Sequence, residues 1–317
     1  MSLSYIIKRL LGAIPLLLGI SVVLFAIIQL APGGPLDIYA ENPSVSREAL
    51  EQIARRYGLD QPVPVQYFMW LKAVVVGDWG YSIRTGRPVL DEIVYRLGPT
   101  LKLGGVAMVV SLLVAVPIGM ISAARRGSRL DGAVTVISFA GISTPVFWFA
   151  LLLQLLFSVK LGWLPSAGYQ TIGDGSFLDR LRYILMPATV LSFATIASWS
   201  RYIRSGMVDV LNQDYIRTAY AKGRTERAVL FGHALRNAMI PAITVIAVDF
   251  VTIISGAVIT ETVFAWPGIG RLFMESMDGR DYPMLMGLMM MGSMAVVAAN
   301  IIADLAYGLL DPRIRYV

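Results

Sequence analysis

The sequence predicts an all-α polytopic membrane protein with six transmembrane helices and an extracytoplasmic insert after the first. Three observations predict it. The 317-residue chain is 56% hydrophobic and only 15% charged, whereas a soluble domain is about half apolar and about a quarter charged. Its mean hydropathy is +0.66, and the apolar residues gather into charge-poor runs of membrane-crossing length. Lys and Arg are sorted unevenly among the segments that join those runs. The formal net charge of +6 would suggest nucleic acid in a soluble protein. Here its distribution matters more than its sum, and no nucleic-acid partner is read from it.

The first element follows Lys8 and Arg9. Residues 10–30 carry no charge, and at about 1.5 Å rise per residue roughly 20 apolar residues cross the hydrocarbon. A signal peptide also opens on basic residues, but its apolar region is about 7–15 residues long and ends at a small-residue cleavage site. This run is longer and ends in "APGGP". Residues 1–31 are therefore expected to be a cytoplasmic end and an uncleaved first span. Residues 32–99 are polar enough to lie outside the membrane. Within them "SREALEQIARRYG" at 46–58 predicts a short amphipathic helix. Ser46 can cap its start, Leu50, Ile53, Ala54 and Tyr57 share a face, and Gly58 is placed to end it. A second amphipathic stretch, "PVLDEIVYRLG", follows at 88–98. The insert is small, and no independent enzyme domain is read in it.

Residues 100–317 are the five-helix core. Charge-poor runs fall at about 100–122, 133–158, 184–204, 239–260 and 284–308. Pro117, Pro145, Pro187 and Pro241 lie in or beside them, which membrane helices tolerate when neighbours satisfy the freed backbone groups. With the N-terminus inside, the inner segments 1–9, 123–131, 201–238 and 311–317 hold 14 Lys and Arg, and the short outer loops 159–183 and 261–283 hold five. That is the positive-inside bias. Residues 32–99 carry seven basic and eight acidic residues, and long translocated segments escape the rule. Both termini are thus expected in the cytoplasm, with 201–238 as the largest inner loop.

Several chemistries are absent. Without cysteine there are no disulfides, thiolate nucleophiles or thiolate metal sites. The single histidine, His233, rules out a multi-histidine metal site. No G-x-x-x-x-G-K-[ST] loop occurs to cradle a nucleotide phosphate, and neither H-E-x-x-H nor G-x-S-x-G is present. No catalytic residue, resident cofactor or metal ligand is assigned, and the chain reads as non-catalytic.

Polar groups inside the spans are few: Asp249 in the fifth, Gln154 in the third, and Asn300 one turn before Asp304 in the sixth. A charge in lipid is expensive, so it should face a protein interior or an aqueous path. Asp249, Gln154 and Asn300 are therefore candidates for a translocation pathway, with structural hydrogen bonding between helices as the alternative. Asp304, near the interface, fits the structural reading better. Met284, Met286, Met289, Met290, Met291 and Met294 crowd the sixth span. Met290 could line a soft, promiscuous path, and ordinary helix packing explains the cluster as well.

The basic stretch "RTAYAKGRTERAVLFGHALRNAMIP" at 217–241 stands out between two apolar spans. It predicts two short helices joined at Gly223, a residue suited to a left-handed turn. The second would run to Pro241. Such an elbow suits a groove on a cytoplasmic partner. The alternative is a basic loop that fixes topology and touches anionic lipid.

The stretch resembles the cytoplasmic "EAA loop" of binding-protein-dependent ABC importer permeases, in the form found in the dipeptide and oligopeptide branch. There an R-T-A-x-A-K-G core precedes an H-A-L-R-N-A stretch, here at 217–223 and 233–238. Arg217 stands where the general motif has glutamate, Thr218 replaces its first alanine, and Arg236 takes the usual proline position. "YGLDQPVPVQYFMWLKAVVVGDWGYSIRTGRPV" at 57–89, "ETVFAWPGIGRLFMESMDGRDYP" at 261–283 and "DLAYGLLDPRIRY" at 304–316 are similar to that branch too.

The resemblance implies a type I ABC importer permease fold in the inner membrane of a prokaryote. It implies ATP-driven uptake of peptides, a second homologous permease as heterodimer partner, two cytoplasmic ATPase subunits or domains, and an extracytoplasmic substrate-binding protein. ATP and Mg would sit on the ATPase partners. At about 205–238, the coupling loop would use Asp214, Tyr215, Arg217, Thr218, Ala219, Ala221, Lys222, Gly223, Arg224 and Glu226. The same branch serves nickel, glutathione and sugars, so substrate stays open. An ion-coupled secondary transporter is the competing class, resting on Asp249 alone, with no internal repeat to support it.

Overall fold

Some prolines of this chain end a helix, as Pro145 does, and others lie inside one, as Pro99, Pro117 and Pro187 do. The computed structural model describes residues 3–30, 46, 48, 52, 54–55, 60–254 and 257–310. Helix α1 spans Leu3–Leu30, α2 Val63–Val75 and α3 Val89–Ala124. α4 (Arg129–Ser143) and α5 (Val146–Leu153) follow, and α5 continues as a π-helical turn, Gln154–Lys160. α6 spans Phe177–Leu211, α7 Asp214–Ala221 and α8 Glu226–Val229. A π segment, Leu230–Ala234, joins α8 to α9, Leu235–Ile254. α10 (Val258–Val263), α11 (Ile269–Asp278) and α12 (Tyr282–Leu310) complete the order.

Among the described residues four helices are long and apolar enough to cross a membrane: Ile7–Leu30 within α1, α3, α6, and Tyr282–Ile301 within α12. α4 and α5 with its π turn form a fifth candidate, bent by 100°. The run expected at about 133–158 lies within this bent pair. The residue before a proline is pushed out of the helical region; Thr144 accordingly takes ψ 123°, and Pro145 starts the next helix. The expected fifth span, about 239–260, overlaps the 20-residue α9 as far as Ile254, and the backbone stays helical through position 241. The expected amphipathic helix at 46–58 lies outside the described residues but for isolated positions.

The stretch at 88–98 and the second span prove to be one 36-residue helix, α3, with Pro99 and Pro117 inside it. The change of polarity near residue 99 marks a change of environment along a continuous backbone. α6 likewise runs well beyond the 184–204 read from polarity. Ser176 caps its start, accepting the Asp179 N–H at 3.2 Å.

The chain divides into two compact units, Met1–Gly98 with Gly268–Val317, and Pro99–Pro267. In the first unit α1 packs against α12. Val89, Ile93, Ile269, Leu272, Met284 and Leu288 form its core. A Cβ at Gly287 would lie 2.5 Å from Val89 Cγ1, so only glycine lets α12 approach that closely. Asp281, 2% exposed, organises the loop before α3. It takes the Ser82 hydroxyl and the N–H groups of Ile83 at 3.1 Å and Arg84 at 3.4 Å.

In the second unit small residues let helices touch. A Cβ at Gly119 of α3 would meet Ser200 O at 2.7 Å, and one at Gly206 of α6 would meet Ala238 O at 2.7 Å. Close backbone approach through small residues is how membrane helices associate without a hydrophobic driving force between them. Around these contacts Met120, Trp199, Ile203 and Met207 build the largest core, which extends into α7 and α8.

Candidate coupling site

Between α6 and α9 the chain folds as an elbow whose inside is apolar and whose outside is polar. Ile216 and Ala219 lie one turn apart on α7, 1% and 8% exposed, and enter the core with Val229 and Ala234. Asp214, Tyr215, Arg217, Thr218, Tyr220 and Ala221 are exposed on the other side. Asp214 also lies in the first turn of α7, where a negative charge favours the helix.

α7 ends by a specific hydrogen-bond pattern. The Gly223 N–H donates to Tyr220 O at 2.9 Å and the Arg224 N–H to Ala219 O at 3.3 Å. This double closure needs a left-handed residue just past the helix, and Gly223 has φ +72°. A Cβ there would meet nothing within 4 Å. Glycine is needed for the backbone angle alone. Thr225 then caps α8, its Oγ1 accepting the Ala228 N–H at 3.4 Å. The limbs are tied by Asn237 Nδ2, which donates to the Tyr215 hydroxyl at 3.0 Å. Lys222, Gly223, Arg224 and Glu226 are exposed at the tip. Arg217 pairs with Asp214 at 3.3 Å, but both are largely exposed and such pairs contribute little.

The ten residues read as a coupling loop are thus together on one elbow. Ala219, one of the ten, does not offer its side chain to a partner. It is buried, because the helical period puts it on the Ile216 face. Two exposed aromatics, Tyr220 at 44% and Phe231 at 58%, were missed. Their helical positions, next to buried neighbours, were the available signal. A third feature was missed as well: Arg204 of α6 meets Asp131 of α4 through two hydrogen bonds of 2.6 and 2.8 Å. The cap signature Ser128-x-x-Asp131 was legible, but its distant partner was not.

The pathway candidates fall in both units, Gln154 and Asp249 in one and Met290 and Asn300 in the other. Trp199 Nε1 donates to Asp249 Oδ2 at 2.6 Å, joining α6 to α9. Gln154 Nε2 donates to Ser166 O at 2.8 Å and to Val263 O at 3.1 Å. The Asp249 contact and the Gln154–Val263 contact join helices, while Ser166 lies in a loop. Met290 is buried at 5% and Asn300 is exposed, both on α12 in the other unit. The side chain of Asp304 lies outside the described residues.

Residues 115–316 match the binding-protein-dependent transport system inner membrane component, and residues 2–104 match the N-terminal part of that membrane component. The chain belongs to this family. It is therefore a multi-pass inner-membrane component of a transport system that works with a binding protein. It is 45% identical over 315 residues to the oligopeptide transport system permease protein AppB of Bacillus subtilis, covering 99% of each chain. It is 37% identical over 336 residues to the dipeptide transport system permease protein DppB of Escherichia coli, again covering 99% of each. Among solved structures, an inward-facing form of the MetNI methionine ABC transporter matches with TM-score 0.54 and 16% identity, over 70% of this chain and 97% of that one. That likeness establishes the permease fold, independently of sequence.

Proposed function

We propose that this chain is the permease subunit of an ATP-driven importer of di- or oligopeptides. It spans the membrane six times with both termini in the cytoplasm, α9 being the fifth span. A second, homologous permease completes the pathway, an extracytoplasmic binding protein delivers the peptide, and two ATPase subunits holding ATP and Mg dock below. This subunit carries no covalent chemistry; its part is conformational gating. The peptide substrate is supported by the names of relatives that match the chain end to end.

The observation that carries the coupling role is the elbow itself. Its inner face is locked into the core by Ile216, Ala219 and Val229, so a push on the tip moves α6 and α9 instead of bending the loop. Its tip is polar, exposed and turned by Gly223. The test is Gly223→Leu in the assembled complex. Membrane insertion and binding-protein docking are expected to persist, while peptide uptake and substrate-stimulated ATP hydrolysis are lost. Normal uptake by this variant, with loss on Arg224→Gln, would mean that the loop serves only as positive charge. Orientation is tested separately in this cysteine-free chain: an impermeant thiol reagent on intact cells should label Ser46→Cys and spare Thr225→Cys.

A further inference from the structure

The Asp131–Arg204 contact is built as a joint. Arg204 Nε donates to Asp131 Oδ1 at 2.6 Å and Nη2 to Oδ2 at 2.8 Å. A planar fork on a carboxylate fixes angle as well as distance. Asp131 is 5% exposed and also accepts the Ser122 hydroxyl and the Gly127 N–H. One carboxylate therefore gathers the end of α3, the turn after it, the start of α4 and the side of α6.

The surroundings give this joint a direction. Arg204 stands about two turns before the end of α6, and α6 leads straight into α7. Below it, packing is apolar and continuous: Ile203 and Met207 of α6 share a core with Ile216 and Ala219 of α7 and with Met120 and Ala123 of α3. Apolar contacts resist separation, but they are non-directional. Gly206 lies against the Ala238 backbone, so α6 also carries α9. The elbow, α6 and α9 thus form one body. Hydrogen bonds also run from α6 to α4 (Ser138–Ser200 at 3.3 Å) and to α3 (the Ser192 hydroxyl to Ala107 O at 3.4 Å), but among the described residues the charged, two-point link from that body to the α3–α4 turn itself is the fork.

We infer that Asp131 and Arg204 are positioning residues of the transport cycle. Their fork makes the α3–α4 turn follow α6, so that displacement of the elbow reaches the two helices on either side of that turn. The inference rests on the coupling role proposed for the elbow. It goes beyond that role by naming the route into α3 and α4.

The experiment uses the assembled complex in proteoliposomes with its binding protein and a peptide that this protein binds. Uptake and ATP hydrolysis are measured together for wild type, Arg204→Gln, Asp131→Asn, the double variant and the milder Arg204→Lys. The expected result is a drop in peptide transported per ATP hydrolysed of about 2- to 30-fold, the range that coupling residues remote from both sites produce. Lys keeps the charge but not the fork, so Arg204→Lys should fall on the same side. The double variant should be no worse than either single one, because each removes the same link. A role in stability alone predicts the opposite pattern: less complex recovered, with uptake and hydrolysis falling in proportion and their ratio unchanged. That pattern, or failure of every variant to accumulate, overturns the inference. Gly223→Leu is run alongside. If it transports and hydrolyses as wild type, the coupling role of the elbow itself has failed; if it uncouples while the fork variants keep the wild-type ratio, only the route is wrong.

Discussion

Two loops of this molecule handle their polar groups in opposite ways. The loop ahead of α3 in the first unit has its polar groups met by residues elsewhere in that unit. Asp281 takes the Ser82 hydroxyl and two backbone N–H groups there. Arg84 donates to Glu275 O at 3.1 Å, and Arg96 bridges Glu92 at 3.2 Å and Glu275 at 3.6 Å. The elbow in the second unit saturates only its inner side. Among the described residues Lys222, Arg224 and Arg227 make no ion pair, and Tyr220 and Phe231 are exposed beside them. The first loop is held in shape by polar contacts within its unit. The elbow fixes its backbone by glycine and caps and leaves charged and aromatic groups outward.

The comparison can be broken most forcefully at Asp281. Asp281→Ala leaves buried donors unmatched at about 1–3 kcal/mol each, so a loss of about 3 kcal/mol or more is expected. It should appear as a lower unfolding temperature of the detergent-solubilised protein and a lower membrane level. Unchanged stability would show that the loop ahead of α3 is not held by these polar contacts. Ala219→Trp comes next. Because Ala219 faces the core, overpacking by about 1–3 kcal/mol is expected, seen as a reduced yield of subunit and complex together. A normal yield with lost ATPase docking would instead put position 219 on the outer face.

Smaller effects sharpen the contrast. Gly223→Leu forces a side chain into a left-handed angle at about 1 kcal/mol, with no clash inside the chain. Stability should hardly move while coupled transport is abolished, and that separation is what an outward-facing site predicts. A large fall in subunit level would make the turn a folding element. Arg224→Gln is the mildest, since exposed substitutions stay within about 0.5 kcal/mol. It should leave the unfolding temperature unchanged and lower ATPase affinity more at low than at high salt, as screened surface charge does. A salt-independent effect would deny an electrostatic contact there.

Much of the elbow was legible beforehand. Gly223 between two alanine-rich stretches predicts a left-handed break, and the break is there. The family motif names Ala219 as a coupling residue but does not say which way it faces; the helical period relative to Ile216 puts it on the core side. Pro145 was visible beside the third span, but a proline alone does not say whether a helix kinks or breaks; Thr144 in extended geometry settles it. Asp249 was legible as an unusual charge in a span. Its partner Trp199, 50 residues away, was not.

By itself the sequence determined the class of molecule, most of the helical runs, the basic character of the loop before α9 and the turn at Gly223. These depend on run length, helical period and local backbone angles, all carried by neighbouring residues. Only the tertiary structure decided which charges are joined. Asp131 with Arg204 and Ser82 with Asp281 are 73 and 199 residues apart. Their meeting depends on how closely glycines let distant helices approach, and that distance is set by packing across the fold.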